Sequence, residues 1–178
     1  DDRALLVNSI RVNEGSTHAV FEVTGIAGQL VKLALANGSA TGGATTPTDG
    51  SVDYGTGLEY WHATNGWVAY TTNSWALIPA GNLLYVRTTL VNDTAAEGDQ
   101  TFTLAATNTG GRATTGTATI DDTGGGVIYT FDPSTNAPTG TTTTGLNTDA
   151  AAPPPPPPSP PPPPPPPAPA PFTANLDP

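Results

Sequence analysis

Cysteine is absent from the 178 residues. That excludes a disulfide, a thiolate zinc site and a thiol nucleophile. Basic residues are scarce, with five Lys and Arg against 15 Asp and Glu and a formal charge of −10. Phosphate binding needs Lys and Arg to displace counterions, so nucleic acid is disfavoured as a partner, as is an anionic membrane surface. No run approaches the ~20 apolar residues of a membrane span. Helical periodicity is missing throughout, and so are G-x-S-x-G, H-E-x-x-H and P-loop motifs. Only His18 and His62 supply imidazole. Ser16, two residues before His18 in a turn, does not make a triad, and an enzyme is not expected. The chain opens Asp1-Asp2 with no initiator Met or signal peptide. The expectation is a processed N-terminus or a trimmed chain, and an extracellular, secreted or cell-surface location.

Proline is nearly missing from the first 152 residues, since seventeen of the 21 lie at or after Pro153. Before about residue 125, β-branched and aromatic residues alternate with polar ones. After it come Gly, Thr, Asn and then Pro, which build no core of their own. The expected layout is a β-sandwich over 1–123, an extra strand and Thr-rich linker over 124–152, a polyproline rod over 153–171 and an extended segment over 172–178.

The first part reads as an all-β, antiparallel sandwich. Strand-length runs lie at 4–12, 19–25, 30–37, 82–91, 100–107 and 116–120. Alternation turns Phe21, Val23, Val31, Leu33, Leu35, Leu84, Val86, Leu90, Phe102 and Leu104 inward. The same alternation turns Glu22, Thr24, Tyr85 and Arg87 outward.

Acidic residues collect at strand ends and turns: Glu14, Asp53, Asp93, Glu97, Asp99, Asp121 and Asp122. At one end of a sandwich they repel one another unless a hard cation sits among them, and calcium prefers such an all-oxygen shell. The plainer reading is that Asp favours turns because its side chain bonds nearby backbone.

The order of motifs "VNEGS…FEVTG", "DYG", "IPAG…VRTTLVNDTAAEGDQTFTL" and "TIDD" resembles a Calx-beta domain over roughly 5–123. The resemblance implies a seven-strand, immunoglobulin-like sandwich that binds Ca2+ at one tip. The matching ligand positions are Glu14, Asp53, Asp93, Glu97, Asp121 and Asp122. Gln100 stands where the family's segment ends in an acid, which weakens the implied site.

Residues 54–78 are longer than the compact hairpin of the family and hold Trp61, Trp67 and Trp75 with Tyr60 and Tyr70. These aromatics either cover the sandwich or form an exposed surface for a glycan or a partner subunit. Asn37 and Asn92 head N-x-[ST] triplets, and Thr142 and Ser159 lie in stretches with the composition of O-glycosylated stalks.

Beyond the sandwich, Val127, Ile128, Tyr129 and Phe131 form an apolar strand that needs a partner. The proline tract around Pro160 cannot join a ladder and is expected as a polyproline II rod of roughly 60 Å. Phe172 and Leu176 mark a second short strand. Such a tract is either a plain spacer or an element of assembly. A rod longer than a ~30–40 Å domain favours contact with another copy of the chain, and repeated head-to-tail contacts generate a filament. The leading expectation is a homopolymer subunit joined through these segments, with strand 4–12 as a further element for exchange. The alternative is a calcium-stiffened adhesin module on a stalk, binding glycans through its aromatics.

Overall fold

The computed structural model describes residues 1–44 and 49–144. The rod over 153–171, the segment 172–178 and the residues Pro160, Phe172, Leu176 and Ser159 lie outside the described residues. The strands, in chain order, are β1 (Leu6–Val7), β2 (Ile10–Asn13), β3 (His18–Thr24), β4 (Leu30–Asn37), β5 (Gly42–Gly43), β6 (Tyr54–Gly55) and β7 (Glu59–His62). They continue with β8 (Gly66–Ala69), β9 (Ala76–Leu77), β10 (Leu83–Thr89), β11 (Gln100–Asn108), β12 (Ala113–Asp121), β13 (Ile128–Phe131) and β14 (Pro138–Thr142). The fold is all-β.

Two five-stranded sheets share one core. The first has the order β1-β3-β10-β7-β8 and the second β2-β12-β11-β4-β9. Phe21, Val23, Leu84 and Val86 of the first sheet are buried against Val31, Leu33, Phe102 and Leu104 of the second. The Phe21 and Phe102 rings meet edge to face at 5.8 Å, and Tyr54 stacks on Phe102 at 4.1 Å. Each such ring, fully removed from water, stabilises the fold by about 1.5–3 kcal/mol. Sequence alternation therefore selects the inner face correctly.

The sandwich is not wholly antiparallel. Residues 4–12 do not form one strand but divide at Asn8-Ser9 between the sheets. β1 pairs antiparallel with β3, and β2 pairs parallel with β12, Ile10 opposite Ala118 and Asn13 opposite Asp121. Both halves of this N-terminal run thus find partners within their own chain.

A third layer is the main departure from expectation. β13 pairs antiparallel with β14, so the Thr-rich stretch after Phe131 supplies a strand rather than a linker. Val127 extends this hairpin onto the outer edge of β2: its N–H donates to Arg11 O at 3.2 Å, and its C=O accepts from Asn13 N at 2.9 Å. Gly126 makes that approach possible. Its φ is +75°, and a Cβ there would lie 2.6 Å from the Val12 carbonyl carbon, so only glycine fits without strain. The hairpin lies over the outer face of the first sheet. Tyr129 N donates to Ser16 Oγ at 3.1 Å, and the Phe131 ring meets His18 at 5.6 Å and Trp67 at 6.0 Å. This cover explains why Val20, which points away from the core between the sheets, is nonetheless buried.

Candidate functional site

The acidic residues do come together in part, at the end of the sandwich where the 13–16, 50–53, 91–99 and 121–125 turns meet. Glu14, Asp53, Asp93, Asp121 and Asp122 are all buried. Glu14 Oε1 accepts from Asp93 N at 3.1 Å. Asp122 Oδ2 accepts from Glu97 N at 2.6 Å and Gly98 N at 3.1 Å. Asp53 Oδ2 accepts from Thr41 N at 2.6 Å. Asp93 Oδ1 caps its own turn through Ala95 N at 2.7 Å, while its Oδ2 is buried with no hydrogen-bond partner among the described residues.

Glu97 is exposed as a residue, yet its carboxyl feels this company. Desolvation first, then the charge on Asp53, push it above the ordinary carboxyl range, although Gln100 Nε2 donates to its Oε2 at 3.0 Å. Gln100 here serves as a hydrogen-bond donor to the cluster.

Asp121 behaves differently. Its Oδ1 accepts from Thr123 N, Thr123 Oγ1 and Gly125 N at 2.9–3.0 Å, and its Oδ2 meets the Arg11 guanidinium. Burial disfavours its charge, but the bonds from Thr123, Gly125 and Arg11 outweigh burial and hold the carboxyl below its usual range. Arg11 also forks onto both oxygens of Asp99, at 2.8 and 2.9 Å. Asp121 thus has its oxygens engaged by the strand-end turn and a guanidinium. Spacing gave no warning of this, because Arg11 and Asp121 are brought side by side only by the parallel β2–β12 pairing.

The chemistry of the remaining five carboxylates, Glu14, Asp53, Asp93, Glu97 and Asp122, suits a hard cation, and the orphaned Asp93 Oδ2 offers one free oxygen. Among the described residues, however, no group of three or more Asp, Glu or His side chains is already arranged to hold a metal ion.

The aromatics are divided among three environments rather than gathered on one surface. Trp61 and Trp67 face each other across the β7–β8 hairpin at 5.5 Å. Arg87, which alternation places on the solvent side, is buried beneath the third layer. Its guanidinium lies 4.1 Å from the Trp67 ring centroid and 5.2 Å from that of Phe131, with Nε donating to Glu59 Oε2 at 2.7 Å. Trp67 Nε1 also donates to Asn136 O at 2.8 Å. Tyr70 packs against the core, its hydroxyl accepting from Leu33 N at 3.0 Å and donating to Ser74 O at 2.7 Å. Trp75 alone is freely presented, 42% exposed beside Lys32, whose Nζ lies 4.8 Å from its ring. Trp61, Trp67 and Tyr70 therefore serve chiefly to cover the sandwich.

His18 sits under Phe131. Desolvation first, then the charge of Arg87, lower its pKa to about 4, against a smaller opposing effect of Glu59. Asn37 is exposed, but its amide oxygen accepts from Tyr54 Oη at 2.5 Å and Gly42 N at 3.0 Å. Asn92 is exposed and Thr142 half-buried at the end of β14.

A groove of about 560 Å3 runs along β4 from Leu33 to Asn37, walled on its far side by Tyr54, Leu58 and Tyr70. Sequence reasoning missed it, because it arises from the shortness of β9, which pairs with β4 only at Leu30 and Val31.

No family model matches this chain, and no curated protein matches it. Among solved structures it is similar to the periplasmic chaperone SfaE, at 9% identity over 66% of this chain and 56% of that one, with a TM-score of 0.35. It is also similar to the Pseudomonas aeruginosa CupB2 chaperone, at 11% identity over 63% of this chain and 52% of that one, TM-score 0.34. The E. coli chaperone DraB stands at 7% identity over 74% of this chain and 66% of that one, TM-score 0.34. The chain thus spans little more than half the length of the first two. Likeness at this level carries no information about activity or partner. Among the described residues no helix is long and apolar enough to cross a membrane.

Proposed function

We propose that this chain is a non-catalytic, extracellular structural subunit. In this reading an immunoglobulin-like, Calx-beta-like sandwich carries a polyproline tract that links it to further copies of itself in a filament or matrix. One observation carries the proposal: the β13–β14 hairpin, which ends at Thr142 with ten residues between it and the start of the tract at Pro153, is built into the body. Val127 is hydrogen-bonded to β2, and Phe131 is set against Trp67, Arg87 and His18. A hairpin fixed on the body gives the tail a defined point of departure, which limits the ordering cost of docking it on a neighbouring copy. Electron microscopy of the purified full-length chain tests this reading. Extended polymers are expected, and their loss on deleting residues 145–178. A full-length chain that stays monomeric refutes it. The deletion must begin after Thr144, because a cut near residue 124 also strips the third layer from the sandwich.

A second reading, a calcium-stiffened adhesin module, is favoured by the buried, unbonded Asp93 Oδ2 within a neighbourhood of carboxylates. Glu14, Asp53, Asp93, Glu97 and Asp122 would hold the ion. Bound there, Ca2+ supplies charge neutralisation that stiffens the four turns, and Trp75 is the aromatic left for a glycan.

A further inference from the structure

The two outer edges of the second sheet are treated differently. The β2 edge is closed, because Val127 occupies it. The β4 edge is closed by β9 only at Leu30 and Val31. Beyond that point the Tyr70 hydroxyl accepts the Leu33 N–H, which shows that Leu33 directs its amide away from β11. Alternate residues of a strand point their backbone groups the same way. Leu35 therefore presents both its N–H and its C=O to the groove, and Asn37 its N–H. No described residue bonds them. An unpaired edge beside an apolar groove is a template for another strand.

The sequence holds a fitting occupant. Phe172, Ala174 and Leu176 alternate with Thr173 and Asn175, the period of a half-buried strand. The five residues match in length the stretch from Leu33 to Asn37, in which Leu35 and Asn37 carry the open edge groups. We propose that residues 172–176 of a second copy add to the β4 edge. Paired antiparallel, Ala174 lies opposite Leu35 and exchanges backbone hydrogen bonds with it. Phe172 and Leu176 then face into the groove, towards Tyr54 and Tyr70 respectively, while Thr173 and Asn175 face water. A second copy is favoured over the same chain because the polyproline rod expected over 153–171, roughly 60 Å long, exceeds a ~30–40 Å body. This inference rests on the reading of the tail as the link between subunits, and it names the acceptor.

The chain contains no cysteine, so an engineered pair gives an unambiguous cross-link. Ala36 is exposed and falls in a position without ladder bonds to the added strand, where Cβ atoms approach most closely. The full-length double variants Ala36→Cys with Thr173→Cys, and Ala36→Cys with Asn175→Cys, cover the antiparallel and parallel directions. After mild oxidation, a ladder of disulfide-linked multimers on a non-reducing gel is expected from one of them. Cross-linking within single copies, or none from either pair, overturns the proposal. As a second arm, Leu35→Pro removes the groove-facing N–H without touching the ladder to β11, and edge positions of this kind tolerate proline. It is expected to raise the concentration needed for assembly at least tenfold. If wild-type chain polymerises but neither the cross-link nor the proline effect is found, the edge assignment fails and the filament reading stands. If wild-type chain does not polymerise and no multimers are trapped, both fall.

Discussion

The Arg87 guanidinium lies 4.1 Å from the centre of the Trp67 ring, and Phe131 and the Glu59 carboxylate complete its enclosure. This arrangement joins the first sheet to the third layer, and it makes a charged residue part of the packing. Trp67→Ala is expected to lower unfolding free energy by about 3 kcal/mol, from lost burial and an uncovered cation. A double-mutant cycle with Arg87→Met, measured by urea denaturation, should return a coupling of about 1 kcal/mol or more. A coupling near zero would mean that Arg87 and Trp67 are neighbours without mutual stabilisation.

Gly126→Ala should detach the hairpin. The new Cβ meets the Val12 carbonyl carbon and the Asn13 nitrogen at 2.6 and 2.7 Å in a left-handed backbone conformation. The expected cost is about 2 kcal/mol or more, with limited proteolysis cutting between residues 126 and 142. Deletion of 145–178 should leave the melting temperature of the unassembled chain unchanged, whereas deletion from 125 onward should lower it. Equal stability of the two truncated chains would show that the third layer contributes nothing.

His18 carries a pH dependence. Its pKa is about 4 in the folded chain against 6.5 unfolded, so between those values the unfolded state binds more protons. Stability is therefore complete above about pH 6.5 and falls as the pH drops towards 4. Discounting for the partial exposure of the ring, the loss between about pH 7 and pH 5 is on the order of 1 kcal/mol. His18→Gln should flatten that slope in urea titrations. An unchanged slope would place the titrating group elsewhere.

The acidic end gives a test of the calcium reading. Because the folded chain raises the Glu97 carboxyl above its ordinary range, ionised Glu97 opposes folding at neutral pH, and the penalty disappears as the pH falls and the group protonates. In the absence of divalent ions, Glu97→Gln should therefore be neutral or stabilising by a few tenths of a kcal/mol. With millimolar Ca2+, wild-type chain should melt higher, while Asp93→Asn and Glu97→Gln should lose most of that gain. No calorimetric heat and no change in melting with Ca2+ would reject the second reading.

Much of this was legible in the sequence, for physical reasons that also mark where legibility stops. Phe21, Val23, Leu84, Val86, Phe102 and Leu104 are inward because alternation in a strand leaves no other face to bury. Asp53, Asp93 and Asp122 meet because acids placed at turns end up at the tips of a sandwich. The parallel pairing of β2 was hidden, since one apolar run at 4–12 carries no mark of the switch between sheets. β14 was hidden too: "PTGTT" has no apolar alternation and is a strand only because β13 and the sheet beneath it hold it there. Alternation sets Arg87 towards solvent because a covering layer later in the chain leaves no trace in local periodicity.

The parallel pairing of β2 with β12, extended by Val127 on the other side, has a mechanical consequence. The chain enters β2 at one end of this ribbon and leaves β12 and Val127 at the opposite end. A pull applied between the start of β2 and Val127 therefore slides the strands along one another. The hydrogen bonds from Ile10 to Asn13, and those from Val127 to Arg11 and Asn13, are loaded together in shear instead of being unzipped singly. Rupture under tension then requires several bonds to fail at once, which favours a high unfolding force and a slow forced-unfolding rate.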